Sequence, residues 1–162
     1  MKQRLADKGA YLLIVRLERS VTIDAGRMRG TKLPPGLYAY AGSAWGPGGI
    51  EARLARHRRP DKPVHWHIDH LTNRAASIAS LAFTGETECR LIDRLLALKG
   101  VMVPVPGFGA SDCPHCPAHL VRLPPSFRLS RAAVGLRQPA PARAPHPKAA
   151  PANRRSGLGG TA

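Results

Sequence analysis

The acidic residues stop at Asp112. All ten Asp and Glu lie at or before that position in a chain of 162 residues, so the last 50 residues hold none. The composition changes near residue 124 as well. Pro124-Pro125 opens a stretch of Pro, Ala, Arg and Gly that carries seven of the 25 basic residues and few bulky apolar groups. Such a stretch buries too little surface to offset the entropy of ordering it. The sequence therefore predicts a short extension over 1–8, a folded part over 9–123 and a disordered basic tail over 124–162. The folded part is long enough for one domain with a modest core.

Charge and cysteine content narrow the class. Residues up to 123 keep 18 basic against 10 acidic side chains, net +8. That balance favours a polyanionic partner and says nothing about chemistry. No apolar run approaches the ~18–20 residues of a spanning helix, and Met1-Lys-Gln-Arg-Leu-Ala-Asp-Lys8 has no apolar signal core. No membrane partner is expected. Three Cys, an odd count, argue against a disulfide scaffold and for a reducing cytoplasm.

Within the folded part the hydrophobic period changes repeatedly. Tyr11 to Leu17 is apolar and β-branched, a buried strand. Residues 20–33 read as a two-stranded ribbon with a turn at Ala25-Gly26. Pro34-Pro35-Gly36 is a turn, after which Leu37-Tyr-Ala-Tyr-Ala41 alternates and places Tyr38 and Tyr40 on one strand face. A glycine-rich loop leads to a helix over Ile50–Arg59, ended by Pro60. Pro63 opens a second helix through Arg74. Ser77–Phe83 is a strand, and a helix begins at Thr84 and runs to Lys99, with Gly100 as its stop. The order β-β-α-α-β-α implies an α/β (α+β) fold, a small and mainly antiparallel sheet flanked by helices.

Several side chains could carry chemistry. Glu88 shares a helix face with Leu91, Ile92 and Leu95, while Glu86 points to solvent. An inward carboxylate is costly unless it is paired or holds a cation, so Glu88 is either a salt-bridge partner or a metal ligand. Arg53 and His57, four apart, flank the Ile50–Leu54 stripe, and Arg56, Arg58 and Arg59 spread over the other sides. An Arg fork beside an imidazole suits a phosphate that gains charge during cleavage. A solvated basic helix is the plainer alternative. Tyr11 and Tyr40 stand at strand ends near glycine, as proton relays or as half-buried packing.

In chain order these residues read Gly9-Ala-Tyr11, Tyr40-Ala-Gly42, Arg53-x-x-x-His57 and Glu88. That order resembles the GIY-YIG nuclease superfamily, with Ala at the centre of each tripeptide. The match is closer to a small branch of Uri-type endonucleases. It runs through Pro35-Gly-Leu-Tyr-Ala-Tyr-Ala-Gly-Ser-Ala44, His65-Trp-His-Ile-Asp69, Pro106-Gly-Phe-Gly-Ala-Ser-Asp-Cys113 and His119-Leu120. The resemblance implies a three-stranded antiparallel sheet and cleavage of DNA phosphodiester bonds with one Mg²⁺ or Mn²⁺. It also implies roles: Glu88 holds the cation, Arg53 stabilises phosphorane charge, Tyr40 helps deprotonate water, Tyr11 orients water or phosphate, and His57 supports them. A lone carboxylate suits Mg²⁺, which keeps several waters. The expected partner is DNA, with RNA as the alternative, and Arg56, Arg58, Arg59, His65 and His67 are its expected contacts.

Three other readings stand beside this one. His65-Trp-His67-Ile-Asp69-His70 fits the H-x-H-x-D-H pattern of the metallo-β-lactamase superfamily, whose fold is about twice the size of the ordered part here. Cys113-Pro-His-Cys116-Pro-Ala-His119 supplies three zinc ligands. A structural zinc takes four, with Asp112 or Cys89 as the candidates for the fourth. Reduced thiols in a tight turn are the preferred reading there. A non-catalytic, basic nucleic-acid-binding module is the third. What separates it from a nuclease is whether Glu88, Arg53, Tyr11 and Tyr40 converge on one cleft.

Overall fold

A computed structural model describes residues 7–130 and 133–134. Its centre is a four-stranded antiparallel sheet in the order β5-β1-β4-β6, formed by β1 (Gly9–Leu17), β4 (Gly36–Ser43), β5 (Ser77–Thr84) and β6 (Leu120–Leu123). A separate ribbon pairs β2 (Val21–Ile23) with β3 (Thr31–Leu33). The expected three-stranded antiparallel unit is β5-β1-β4. Strand β6 extends it, pairing Tyr40 with Leu120 and Leu37 with Leu123. Its four residues follow the Cys-rich turn, and so short a run gave no periodic signal to read.

Strand β1 is the middle of the molecule because its side chains are apolar on both faces. Tyr11, Leu13 and Val15 pack with Tyr38, Ile50, Leu54, Ile68 and Phe108 on one side. Leu12 and Ile14 pack with Phe83, Leu91, Ile92 and Leu95 on the other. Each fully buried side chain of this kind contributes roughly 1.5–3 kcal/mol, which outweighs any single cap or surface ion pair. The first face carries α1 (Gly49–Arg58), the ribbon and the short α2 (Asp69–Thr72). The second carries α3 (Glu88–Leu96).

Helix α1 matches its expected span to within one residue, but two helices are shorter than expected. The segment from Pro63 becomes helical only at Asp69–Thr72. The Asp69 carboxylate accepts the backbone N–H groups of His65 and Trp66, both at 2.9 Å, and this side-chain capture competes with a helical turn there. Helix α3 begins at Glu88 rather than Thr84 because the Thr87 hydroxyl caps it, accepting from the Arg90 N–H at 3.4 Å. It ends at Leu96, short of Lys99.

The packed chain also runs past residue 123. Phe127 and Leu129 pack against the second face, and Val134 is fully buried there. These three apolar residues correct the boundary of the expected tail, and the rest of that tail lies outside the described residues. At the other end, Asp7 and Lys8 accept backbone hydrogen bonds from Ile50 and Gly85, both at 2.9 Å. Among the described residues no helix is long and apolar enough to cross a membrane.

Candidate active site

One end of the sheet opens into a cavity of about 370 Å³, and Tyr11, Tyr40, Arg53 and Glu88 all line it. Antiparallel pairing brings the two tripeptides together. Tyr11 lies opposite Gly42, and Leu13 opposite Tyr40. The Tyr11 ring crosses directly over Gly42, where an added Cβ would collide with its Cζ, its hydroxyl and its Cε2. Glycine ends the second tripeptide because the tyrosine of the first occupies the place of a side chain. Gly9 answers a similar need on the other edge, where a Cβ would strike the Phe83 carbonyl and the Gly85 N–H group.

His57 stands behind the cavity rather than in its wall. It is fully buried, on the same stripe of α1 as Ile50 and Leu54, and its Nε2 lies 2.7 Å from the Tyr11 hydroxyl. Burial is the main force on both groups. It holds the Tyr11 hydroxyl well above its ordinary pKa and lowers His57 to about 4. Both are therefore neutral at pH 7. The Nδ1 atom of His57 faces Asp69 Oδ1 at 3.9 Å, which favours a proton on Nδ1 and leaves Nε2 to accept from the Tyr11 hydroxyl.

Asp69 organises the next layer. Arg56 grips it with two hydrogen bonds of 2.9 and 2.8 Å, and the two backbone N–H groups complete its set. Burial resists ionisation, but Arg56 and those N–H groups outweigh it and bring the Asp69 carboxyl down to about 2. Two guanidinium groups stack on the Trp66 ring, Arg56 at 4.0 Å and Arg53 at 4.8 Å from its centroid. The chain Asp69, Arg56, Trp66 thus braces Arg53 where it lines the cavity. Arg56, one of the expected nucleic-acid contacts, is thus held by Asp69 with its side chain partly exposed. Arg58 and Arg59 are exposed, and Arg58 reaches Ser80 at 2.5 Å. His65 is exposed, and His67 is half-buried against Phe108.

Glu88 is half-buried and has no salt bridge among the described residues. Glu86, expected in solvent, is instead largely enclosed and paired with Arg90 at 3.2 Å. Burial first, and then the Glu88 charge, push the Tyr40 hydroxyl up to about 12. Ser43 and Asp112 add oxygen donors to the same cavity. The sequence offers Asp112 only as a possible zinc ligand and Ser43 only as part of the matching stretch, since a lone Ser or Asp carries no spacing signal for a shared cavity.

Two metal expectations change. The residues of the H-x-H-x-D-H stretch form no ligand group, because the Asp69 carboxylate is already held by Arg56 and by backbone. The group of three or more ligand atoms found among the described residues is Cys89, Cys113, Cys116 and His119, all within 4.8 Å of one another. Thiolates and imidazole suit zinc rather than Mg²⁺. Cys89, on α3, is the fourth donor that the sequence left open between Asp112 and Cys89. Burial and the neighbouring thiols raise Cys116, while at Cys113 burial is outweighed by backbone N–H groups and by His119, which lower it.

No curated protein and no solved structure matches the chain. One family model does, described as Domain of unknown function DUF123, and it spans residues 10–136. Its upper end agrees with the packing of Val134 and overruns the expected boundary at 123. With most of its length matched, and both tripeptides, α1, α3 and the Cys-rich turn all within or at the edge of the match, the chain belongs to the DUF123 family.

Proposed function

We propose that the protein is a divalent-cation-dependent endonuclease of GIY-YIG type, related to the Uri-type branch, that hydrolyses DNA phosphodiester bonds at the cavity between Tyr11, Tyr40, Arg53 and Glu88. The observation that carries this reading is the convergence of these four side chains, drawn from β1, β4, α1 and α3, on one opening. A module that only bound nucleic acid would need basic surface and no such meeting point. In particular, it would not need a half-buried carboxylate left without a cationic partner.

Each residue has a role that follows from its surroundings. Arg53, held against Trp66, offers its fork to a phosphate and to the charge that builds on it. Tyr11 keeps its proton toward His57, so its oxygen lone pairs face the cavity and can accept from a water. Tyr40 gives up its proton reluctantly while the Glu88 carboxylate is uncompensated, and compensation of that carboxylate relieves one of the two causes. The oxygen donors of Glu88, with Asp112 and Ser43 nearby, suit a hard cation that retains waters. When bound, Mg²⁺ or Mn²⁺ supplies positive charge that polarises a phosphoryl oxygen and eases deprotonation of water. Three cysteines with no disulfide among them fit a reducing cytoplasm.

The test is nicking of supercoiled plasmid by the purified protein. Relaxed circles are expected with Mg²⁺ or Mn²⁺ and none with EDTA. Cleavage that proceeds unchanged in EDTA, or that never occurs while DNA is bound, would overturn the assignment.

A further inference from the structure

We propose that Cys89, Cys113, Cys116 and His119 form a closed tetrahedral zinc site that fastens the first turn of α3 to the loop before β6. The four donor atoms come from two separate parts of the chain and gather within 4.8 Å. A tetrahedral site with Zn–S bonds near 2.3 Å has ligand–ligand edges of about 3.8 Å. The Cys89 and Cys113 sulfurs stand 3.4 Å apart. Closing the whole group on an ion therefore needs shifts of about 1 Å or less on the same estimate.

Two further observations point to a ligand. The Nε2 of His119 is buried and makes no well-formed hydrogen bond among the described residues. A buried ring nitrogen without a well-formed hydrogen bond is costly, and a metal bond removes that cost. The residue is also held in place by its backbone, its N–H donating to Phe108 at 2.7 Å and its carbonyl accepting from Ala41 at 3.0 Å. Second, the Cys116 backbone N–H donates to the Cys113 sulfur at 3.3 Å, an outer contact that orients a thiolate ligand.

The site is structural in kind. Four protein donors leave no coordination position for substrate. Its placement still matters, because Cys113 and His119 line the same cavity as Glu88, whose next residue is Cys89. The ion would thus set one wall of the cavity without taking part in chemistry. A Cys89–Cys113 disulfide is the competing arrangement. It would leave Cys116 and the His119 nitrogen without partners, whereas zinc uses all four.

The experiment is elemental analysis of the full-length protein purified without added chelator, read independently of any nuclease activity. One zinc per chain is expected. Cobalt exchanged into the site should show the visible absorption of tetrahedral thiolate coordination. Cys89→Ser and His119→Ala should each lose zinc to a chelator that the parent withstands. His119→Cys should keep it, which separates ligand loss from misfolding. Glu88→Ala should also keep one zinc, which separates this ion from one at the oxygen donors. A parent chain with no zinc and three free thiols, or a mass two hydrogens lower from a disulfide, would overturn the proposal.

Discussion

At the scale of single residues, Gly42 and His57 carry the most. Gly42 is a packing requirement, since the Tyr11 ring occupies the space its Cβ would take. Gly42→Ala is expected to cost about 1–3 kcal/mol, as overpacking does, and to move Tyr11 off His57. A thermal or urea midpoint, together with the NMR shift of the His57 ring, would measure both effects. His57 makes a separate prediction about pH. Its native pKa near 4 lies below the ordinary 6.5, so between these values the unfolded chain binds a proton that the native one does not. The His57 contribution to stability therefore falls as pH drops below about 6.5, and the loss has reached its single-site limit of about 3 kcal/mol by about pH 4. His70 is shifted in the same direction and adds to the slope. Urea midpoints at pH 7 and pH 5 should differ clearly in the parent and less in His57→Gln. Equal pH dependence in the two proteins would remove His57 as the cause.

At the scale of elements, legibility followed the length and periodicity of the signal. The apolar run of β1, the Tyr38/Tyr40 alternation of β4 and the Ile50–Leu54 stripe of α1 each repeat enough to be read, and each lies where the sequence placed it. The ends of α2 and α3 were misread because local side-chain captures decide them, Asp69 in one case and Thr87 in the other. The tail boundary was misread for a different reason. Phe127, Leu129 and Val134 are sparse among Pro and Arg, and only their contacts with the α3 side of the sheet show that Val134 is core and that the other two pack against it. A chain cut after residue 123 should consequently melt lower than one cut after 136, because it uncovers that face. Losing a single large core side chain costs about 2–5 kcal/mol, and here buried Val134 goes together with the half-buried Phe127 and Leu129. Equal melting temperatures would contradict the packing.

At the scale of the whole molecule, the fold joins residues that sequence distance separates. Tyr11, Tyr40, Arg53 and Glu88 were each ambiguous alone, and their order gave a resemblance rather than a geometry. The sheet register and the crossing of α1 and α3 supply the meeting point. What stayed hidden was the support behind it. The Arg56–Asp69 pair links positions 13 apart in an irregular segment, and Cys89 joins the Cys-rich turn across 24 residues. Neither spacing is periodic, so the first leaves no trace in the pattern and the second reads only as a choice between Asp112 and Cys89.

The sharpest check is the split between cleavage and binding in Glu88→Ala and Arg53→Ala, measured as plasmid-nicking rate and DNA affinity under the same salt. If the four residues form one catalytic centre, each variant should lose nicking by about a hundredfold or more, on the scale of removing one transition-state contact, while retaining most of its affinity. Nicking equal to that of the parent protein in both variants would contradict a centre at this cavity.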